Sequence, residues 1–440
     1  MNTLELAHEI EGAPIARHHR LVVATLALAT LFDGYNVFVP AYVIPYVASW
    51  HLKPSAAGLL VSSGLVGFML GALATGALAD WVGRKPTLIG ALWFAAAANL
   101  ATALWGDSFG RFLLLRVATG LGLGMILPVS VTLVNELAPG RRVNVLVGWM
   151  MTGWSIGGVA AALLSLALIP TRGWPALFAA GAIVAPVIAL IALALPESPR
   201  FLAARGRDTA LRAVMARLVP ARASEYVHAK FSSPAASGRT GSLARLLSPQ
   251  YRRGTLIVWA CSALSLFTIF GLSSWIPDIL LRRGLPIGAS FSLSAWLQLT
   301  ALLGGLGCGW AADRAGRDPV LKSSWVLGAG ALAGLAFFEA GASNLAFVAV
   351  AGFCVMGAQT VLNNRTAALY PTEIRSTGVG SQLGIGRLGG ILGPYVGGWL
   401  QQLFPGSRAL LLSLAVAIGG SALCLLLLPA VRAPQSAPPG

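Results

Sequence analysis

The chain has 440 residues, of which 56% are hydrophobic and only 10% charged, and its mean hydropathy is +0.75. A soluble domain carries roughly 25% charged residues, so a chain this poor in charge needs lipid as the solvent for much of its surface. Soluble enzymes, nucleic-acid binders and disordered scaffolds are thereby excluded, and the net charge of +16 reads as cytoplasmic loops facing anionic lipid rather than as a nucleic-acid footprint.

Glu5, Glu9 and Glu11 precede the first apolar run, which is too long for the apolar region of a cleaved signal. Twelve segments are predicted to cross the hydrocarbon layer, at 20–48, 56–79, 86–105, 110–134, 144–169, 174–195, 254–281, 288–311, 321–340, 344–369, 377–402 and 407–429. The fold class expected is an all-α membrane protein with an N-terminal six-helix half (1–196), a polar cytoplasmic loop (197–253), a C-terminal six-helix half (254–430) and a disordered tail (431–440). Most of the 31 Lys and Arg fall on one side if both termini are placed in the cytoplasm, which sets the expected orientation. The four Cys lie in apolar runs without a CxxC pair and none of the five His lies well inside a span, so neither a metal nor another cofactor is expected.

The informative residues are those at membrane depth, where an ionisable group costs roughly 2.5–3.5 kcal/mol on insertion scales. Asp33, about halfway along the first span, reads as a proton carrier, against a structural hydrogen bond to a neighbouring helix. Arg116 in the fourth span and Arg387 in the eleventh are the natural counter-charges for a carboxylate, because a guanidinium stays charged and presents a flat fork of donors. Arg365, shortly before Pro371, reads as a snorkelling or gating residue or as a substrate contact. Gln359 and Asn363 are four residues apart on one helical face, placed either to hydrogen-bond a substrate or to join helices. Asn36, Tyr42 and Trp275 complete the candidate binding set, with interfacial belts as the competing explanation for the aromatics. The intraspan chemistry of an enzyme is missing, since no His and no paired carboxylates sit at membrane depth.

An internal repeat supports two halves. Residues 76–86 read GALADWVGRKP and residues 309–319 read GWAADRAGRDP, with Asp80 matching Asp313 and Arg84 matching Arg317. Two halves of equal orientation imply a pseudo-two-fold axis along the membrane normal and a substrate site near the midplane. Glu136 lies twenty positions after Arg116, about 30 Å along an ideal helix, so it belongs with Asp80 and Arg84 at the cytoplasmic end rather than with a midplane site.

These motifs resemble the major facilitator superfamily. The loop signature Gly-x-x-x-Asp-x-x-Gly-Arg-Lys stands at Gly76–Lys85 and recurs in weaker form at Gly309–Arg317, LLLRVATGLGLG carries Arg116, and PESPRFL follows the sixth span. Within it, Asp33-Gly34-Tyr35-Asn36, NELAPGRR and LYPTEIRSTGVG…GIGRLGGILGP resemble the aromatic acid:proton symporter group, with Asn36 standing where that group carries a second acid. Asparagine hydrogen-bonds but carries no proton. The resemblance implies the major facilitator fold of two pseudo-symmetric six-helix halves. It implies import of a small organic anion, foremost an aromatic carboxylate, by proton symport through alternating access in a bacterial inner membrane. The partners expected are that anion, protons and lipid, with no nucleic acid, and the chain is expected to act as a monomer. It also implies that Asp80, Arg84 and Glu136 in one half, and Asp313, Arg317, Glu373 and Arg375 in the other, gate the cytoplasmic end. An aliphatic acid, a nicotinate-like acid or a sugar as substrate, a drug:proton antiporter and a non-transporting membrane sensor are the alternatives; two intraspan Arg disfavour a cationic substrate by like-charge repulsion.

Overall fold

The computed structural model describes residues 3–47, 50–227, 229–232, 242–338 and 342–428; the tail expected to be disordered lies outside them. Helix α1 (Leu6–Glu11) is short. Six long helices follow: α2 (Arg17–Val43), α3 (Pro54–Val82), α4 (Arg84–Trp105), α5 (Phe109–Leu137), α6 (Val143–Arg172) and α7 (Pro175–Ala192). The polar stretch between the two series holds α8 (Pro199–Ala204), α9 (Asp208–Leu218), α10 (Ala223–Tyr226) and α11 (Ser242–Leu246). The second series is α12 (Arg252–Arg282), α13 (Ile287–Ala315), α14 (Arg317–Phe337), α15 (Ala342–Ala351) running through a π-helical turn at Gly352–Met356 into α16 (Gly357–Ala367), α17 (Thr372–Leu403) and α18 (Arg408–Cys424). Counting α15 to α16 as one, twelve segments have membrane-crossing length, as expected. Eleven are also apolar enough to cross by composition. The twelfth, α17, is diluted by its glycines and by Gln382 and Arg387, yet at 32 residues it is about 48 Å long and spans readily.

Packing divides the chain into two units. The first comprises 1–52, 59–238 and 286–295; the second comprises 53–58, 239–285 and 296–440. Each is built around one helix buried on every side. In the first unit every residue of α2 and its continuation from Phe32 to Ile44 is buried, and in the second every residue of α12 from Thr268 to Leu280. A helix apolar all round needs no lipid-facing stripe, so these are the core helices. Around them small residues let backbones close in. A Cβ at Gly120 or Gly124 of α5 would run into the carbonyl of Gly64 or Phe68 on α3, and one at Gly389 or Gly393 of α17 into that of Ala263 or Phe267 on α12. Trp50, Phe112, Trp174 and Phe178 form an edge-to-face cluster in the first unit, with ring centroids 5.6–6.1 Å apart.

The polar stretch carries secondary structure and a small core of its own among the described residues. Residues Thr3–Glu5 (β1) pair in parallel with Lys230–Ser232 (β2), the one departure from an all-α chain among the described residues. Leu6 and Ile10 are buried with α1, as are Leu211, Met215, Leu218 and Tyr226 in the stretch itself. Glu9, buried as well, accepts from Arg222 Nη1 at 2.5 and 2.7 Å and from the Tyr226 hydroxyl at 2.7 Å. Hydrogen bonds and charge from Arg222 hold the Glu225 carboxyl below its usual range, while burial and the acceptor Glu9 push the Tyr226 phenol up.

Candidate functional site

In the first unit the polar side chains converge on the middle of α2. Asp33, Asn36 and Asn99 are fully buried and Arg116 is 2% exposed. Arg116 reaches from α5 to donate through Nη2 to the main-chain carbonyl of Asn36 at 3.0 Å, and its guanidinium lies 5.7 Å from the Phe178 ring centroid. It fits because α3 carries Gly64 beside it, where a Cβ would stand 2.8 Å from Nη2. Its Nε and Nη1 are buried without a hydrogen-bond partner. A buried guanidinium with two open donors is chemically able to hold an anion, which it favours strongly in low dielectric. Asp33 lies three residues before Asn36 on the same helical face, about 4.5 Å along the axis, so the acid and the arginine anchor belong to one turn of α2. Asn36 Nδ2 donates to its own Phe32 carbonyl at 2.9 Å and its Oδ1 has no hydrogen-bond partner. Asn99 of α4 faces the same region beside Gly181, with neither amide atom hydrogen-bonded. Sequence reasoning passed over Asn99, although a lone amide in the apolar run AAAANLATAL was a visible signal. Tyr42 is buried edge-on to Phe291 at 4.9 Å.

The second unit presents a different polar surface. Arg387, on α17, is half-buried with its guanidinium 5.9 Å from the Phe270 ring centroid. Gln359 and Asn363 are joined by a hydrogen bond of 3.3 Å and are both half-buried, in a network that also holds Ser262, Ser265 and Gln382. Gln382 was not anticipated. Trp275 is wholly buried and its indole N–H donates to the Pro394 carbonyl at 2.9 Å, so it ties α12 to α17. Arg365 is 1% exposed and grips Asp318 with Nε at 2.5 Å and Nη2 at 3.3 Å; an ion pair inside the unit takes the place of snorkelling.

Where α3, α4 and α5 end together, Arg84 meets Asp80 at 2.9 Å and Glu136 at 3.4 Å, the three residues expected to share one helix-end cluster. A further acid, Glu197 of the PESPR segment, organises this corner. Its Oε1 accepts from the backbone N–H groups of Arg84 at 3.0 Å, Lys85 at 3.3 Å and Ser198 at 2.8 Å, which places a carboxylate on the positive end of α4. Gly83, at φ +110°, is required twice over, because a Cβ there would also collide with Glu197. The second unit does not reproduce this arrangement. Asp313 and Arg317 are exposed and form no ion pair among the described residues, and the matching Gly316 has only a Pro319 carbon near its Cβ position. The acid engaged there is Asp318, one residue beyond Arg317. Arg375 is exposed and donates weakly to the Tyr370 carbonyl at 3.5 Å, and the side chain of Glu373 lies outside the described set.

Two six-helix units, a doubled loop motif with its Arg84 trio, and a buried arginine in the fourth span form one constellation, and residues 26–394 match the sequence profile of the Major Facilitator Superfamily. The chain belongs to that superfamily. It is a multi-pass integral membrane protein of a family of transporters. Among characterised proteins it is similar to a gallate transporter of Pseudomonas putida, at 33% identity over 95% of this chain and 93% of the relative. It is also similar to the 4-hydroxybenzoate transporter PcaK of the same organism, at 32% identity over 91% and 90%. Among solved structures, the inward-open xylose transporter XylE from E. coli superposes with a TM-score of 0.74 at 18% identity, over 95% of this chain and 98% of that one, which concerns the fold alone.

Proposed function

We propose that this transporter imports a small aromatic carboxylate by proton symport through alternating access, in a bacterial inner membrane with both termini in the cytoplasm. The observation that carries the reading is Arg116, buried with two unsatisfied nitrogens one turn from buried Asp33. Similarity to carriers of gallate and 4-hydroxybenzoate supports the substrate class. Arg116 and Arg387 are the proposed carboxylate-binding residues, and Asn36, Tyr42, Gln359 and Asn363 the residues proposed to contact substrate. Asp33 takes up a proton on the outer side and gives it up inside as the anion departs. Asn36 in place of a second acid leaves Asp33 as the one carboxylate of this turn, consistent with one proton moved per cycle. The arginine trio at Arg84 stabilises one of the two access states, because ion pairs at helix ends form in one arrangement and are solvated in the other.

Purified protein in liposomes tests this. With a pH gradient imposed, the wild type concentrates radiolabelled 4-hydroxybenzoate and Asp33→Asn does not. Concentrative uptake by Asp33→Asn would remove Asp33 from the coupling step.

A further inference from the structure

We infer that Gln382 is a positioning residue that sets the hydrogen-bonding polarity of Asn363, and thereby selects aromatic acids whose ring substituent accepts a hydrogen bond. The inference rests on the aromatic-carboxylate reading above.

The reasoning starts from the direction of each bond. Gln382 is 0% exposed on α17. Its Nε2 donates to Ser262 Oγ at 2.7 Å and to Asn363 Oδ1 at 3.4 Å. Gln359 Nε2 donates to the same Asn363 Oδ1 at 3.3 Å, while Gln359 Oε1 accepts from the Ser265 hydroxyl at 2.8 Å. An amide oxygen has two lone pairs, so Asn363 Oδ1 is saturated by Gln359 and Gln382. What Asn363 has left is Nδ2, which only donates, and it donates to none of the described residues. Since Asn363 is half-buried, that amino group is reachable while the oxygen is fixed behind it.

An amide is oriented by its network, and the bonds here run in one sense, with Gln382 Nε2 turned to Ser262 and Asn363 and Gln382 Oε1 buried without a partner. Gln382 enforces that sense, because turning Asn363 over would set its N–H groups against the N–H groups of Gln382 and Gln359. Arg387 lies five positions further along the helix that carries Gln382, so one rigid element presents a guanidinium and also fixes the amide. The π-helical turn at Gly352–Met356 precedes Gln359 and Asn363 and shifts the register of their face, a feature common at functional sites. The ligand chemistry that fits is an aromatic acid carrying, on the ring, an oxygen able to accept from Asn363 Nδ2. A ring amino group, which mainly donates, meets like with like.

The test is competition against uptake of radiolabelled 4-hydroxybenzoate in proteoliposomes, comparing 4-methoxybenzoate with 4-aminobenzoate. In the wild type the methoxy acid is expected to inhibit about tenfold more strongly, the factor that one net hydrogen bond supplies. Gln382→Glu has the same shape and, assayed at a pH where it is ionised, an acceptor-only end, so Asn363 must turn its N–H groups toward it and present its oxygen. The order of the two inhibitors then inverts. Gln382→Met, which keeps the bulk and loses the polarity, brings the ratio toward one. A methoxy-over-amino ratio that stays the same in all three proteins would overturn the inference, as would a uniform fall in both affinities, which is the mark of a purely structural role. Failure of the wild type to take up any aromatic acid would overturn the functional reading and this inference together; a changed uptake rate with an unchanged ratio overturns the inference alone.

Discussion

Removing Asp318 should damage the second unit far more than removing the whole ion pair. Arg365 has a side chain 2% exposed, and Asp318, 37% exposed, supplies two of the oxygens it meets. Asp318→Ala therefore takes a gripping carboxylate away from a buried charge. Stripping one partner from a fully buried pair costs roughly 3–5 kcal/mol. Asp318 is more than a third exposed, so water replaces part of its contribution and a loss of about 2–3 kcal/mol is expected. For a unit of this size that corresponds to a fall of roughly 5–10 °C in the melting temperature. Arg365→Met keeps the long apolar stem and removes the charge, so it should cost less than about 1.5 kcal/mol, and Asp318→Ala combined with it should be no worse than Arg365→Met alone. The assay is a double-mutant cycle on detergent-solubilised protein followed by tryptophan fluorescence on heating. Additive losses in the double variant, or an Asp318→Ala protein as stable as the wild type, would refute the reasoning.

Other outcomes follow from the geometry. Gly83→Ala forces a side chain into φ +110° against Glu197 and should destabilise by about 1–3 kcal/mol, read as a drop in melting temperature, whereas Gly316→Ala suffers only the backbone strain and should lose less. Arg116→Lys should abolish uptake of 4-hydroxybenzoate while leaving the protein folded by size-exclusion chromatography, because one ammonium cannot both hold the Asn36 carbonyl and present a fork to a carboxylate. Near-normal uptake by the lysine variant would count against Arg116 as the anion receptor. The Arg222–Glu225 pair beside the N-terminal segment should weaken with acid. The Glu225 carboxyl is held below its usual range by Arg222, so its contribution is present above the ordinary glutamate pKa and is lost as pH falls through the lowered value. Tyr226 has the opposite sign: its phenol is raised, so its contribution persists below the ordinary tyrosine pKa and is lost only as pH climbs through the raised value. A spin label at Ser224 should gain mobility with acid, and one at Leu4 should gain it with alkali as the Tyr226–Glu9 bond is lost.

Much of this molecule is legible in its residues. Length and apolarity locate the spans because the hydrocarbon layer imposes both, and even α17, with its glycines and Arg387, stands out by context. Arg116 and Asp33 are conspicuous because charge at membrane depth is costly. The first loop motif places Arg84, Asp80 and Glu136 together because the three lie at helix ends that the motif itself defines. The repeat misleads in the second half. Matching letters pointed to Asp313 and Arg317, but the buried charge needing a partner there is Arg365, and the acid within reach is Asp318. Repetition of letters does not carry over the burial that makes a pair matter. The pairing of β1 with β2 was hidden for another reason, since three-residue strands more than 200 positions apart leave no periodicity to read. Glu197, Asn99 and Gln382 escaped notice because their significance lies in which atoms they reach, and a carboxylate or amide in isolation is equally consistent with helix glue.

The central claim is that aromatic acid and proton move together. It is tested most directly by proteoliposomes with a pH-sensitive dye trapped inside and no imposed gradient, to which benzoate or 4-hydroxybenzoate is added outside. Coupled transport predicts acidification of the lumen on adding the acid, beyond that of protein-free liposomes and lost in both Asp33→Asn and Arg116→Lys. Uptake of the labelled acid with no acidification beyond the protein-free control would contradict proton symport and leave a carrier that moves the anion alone or with another ion.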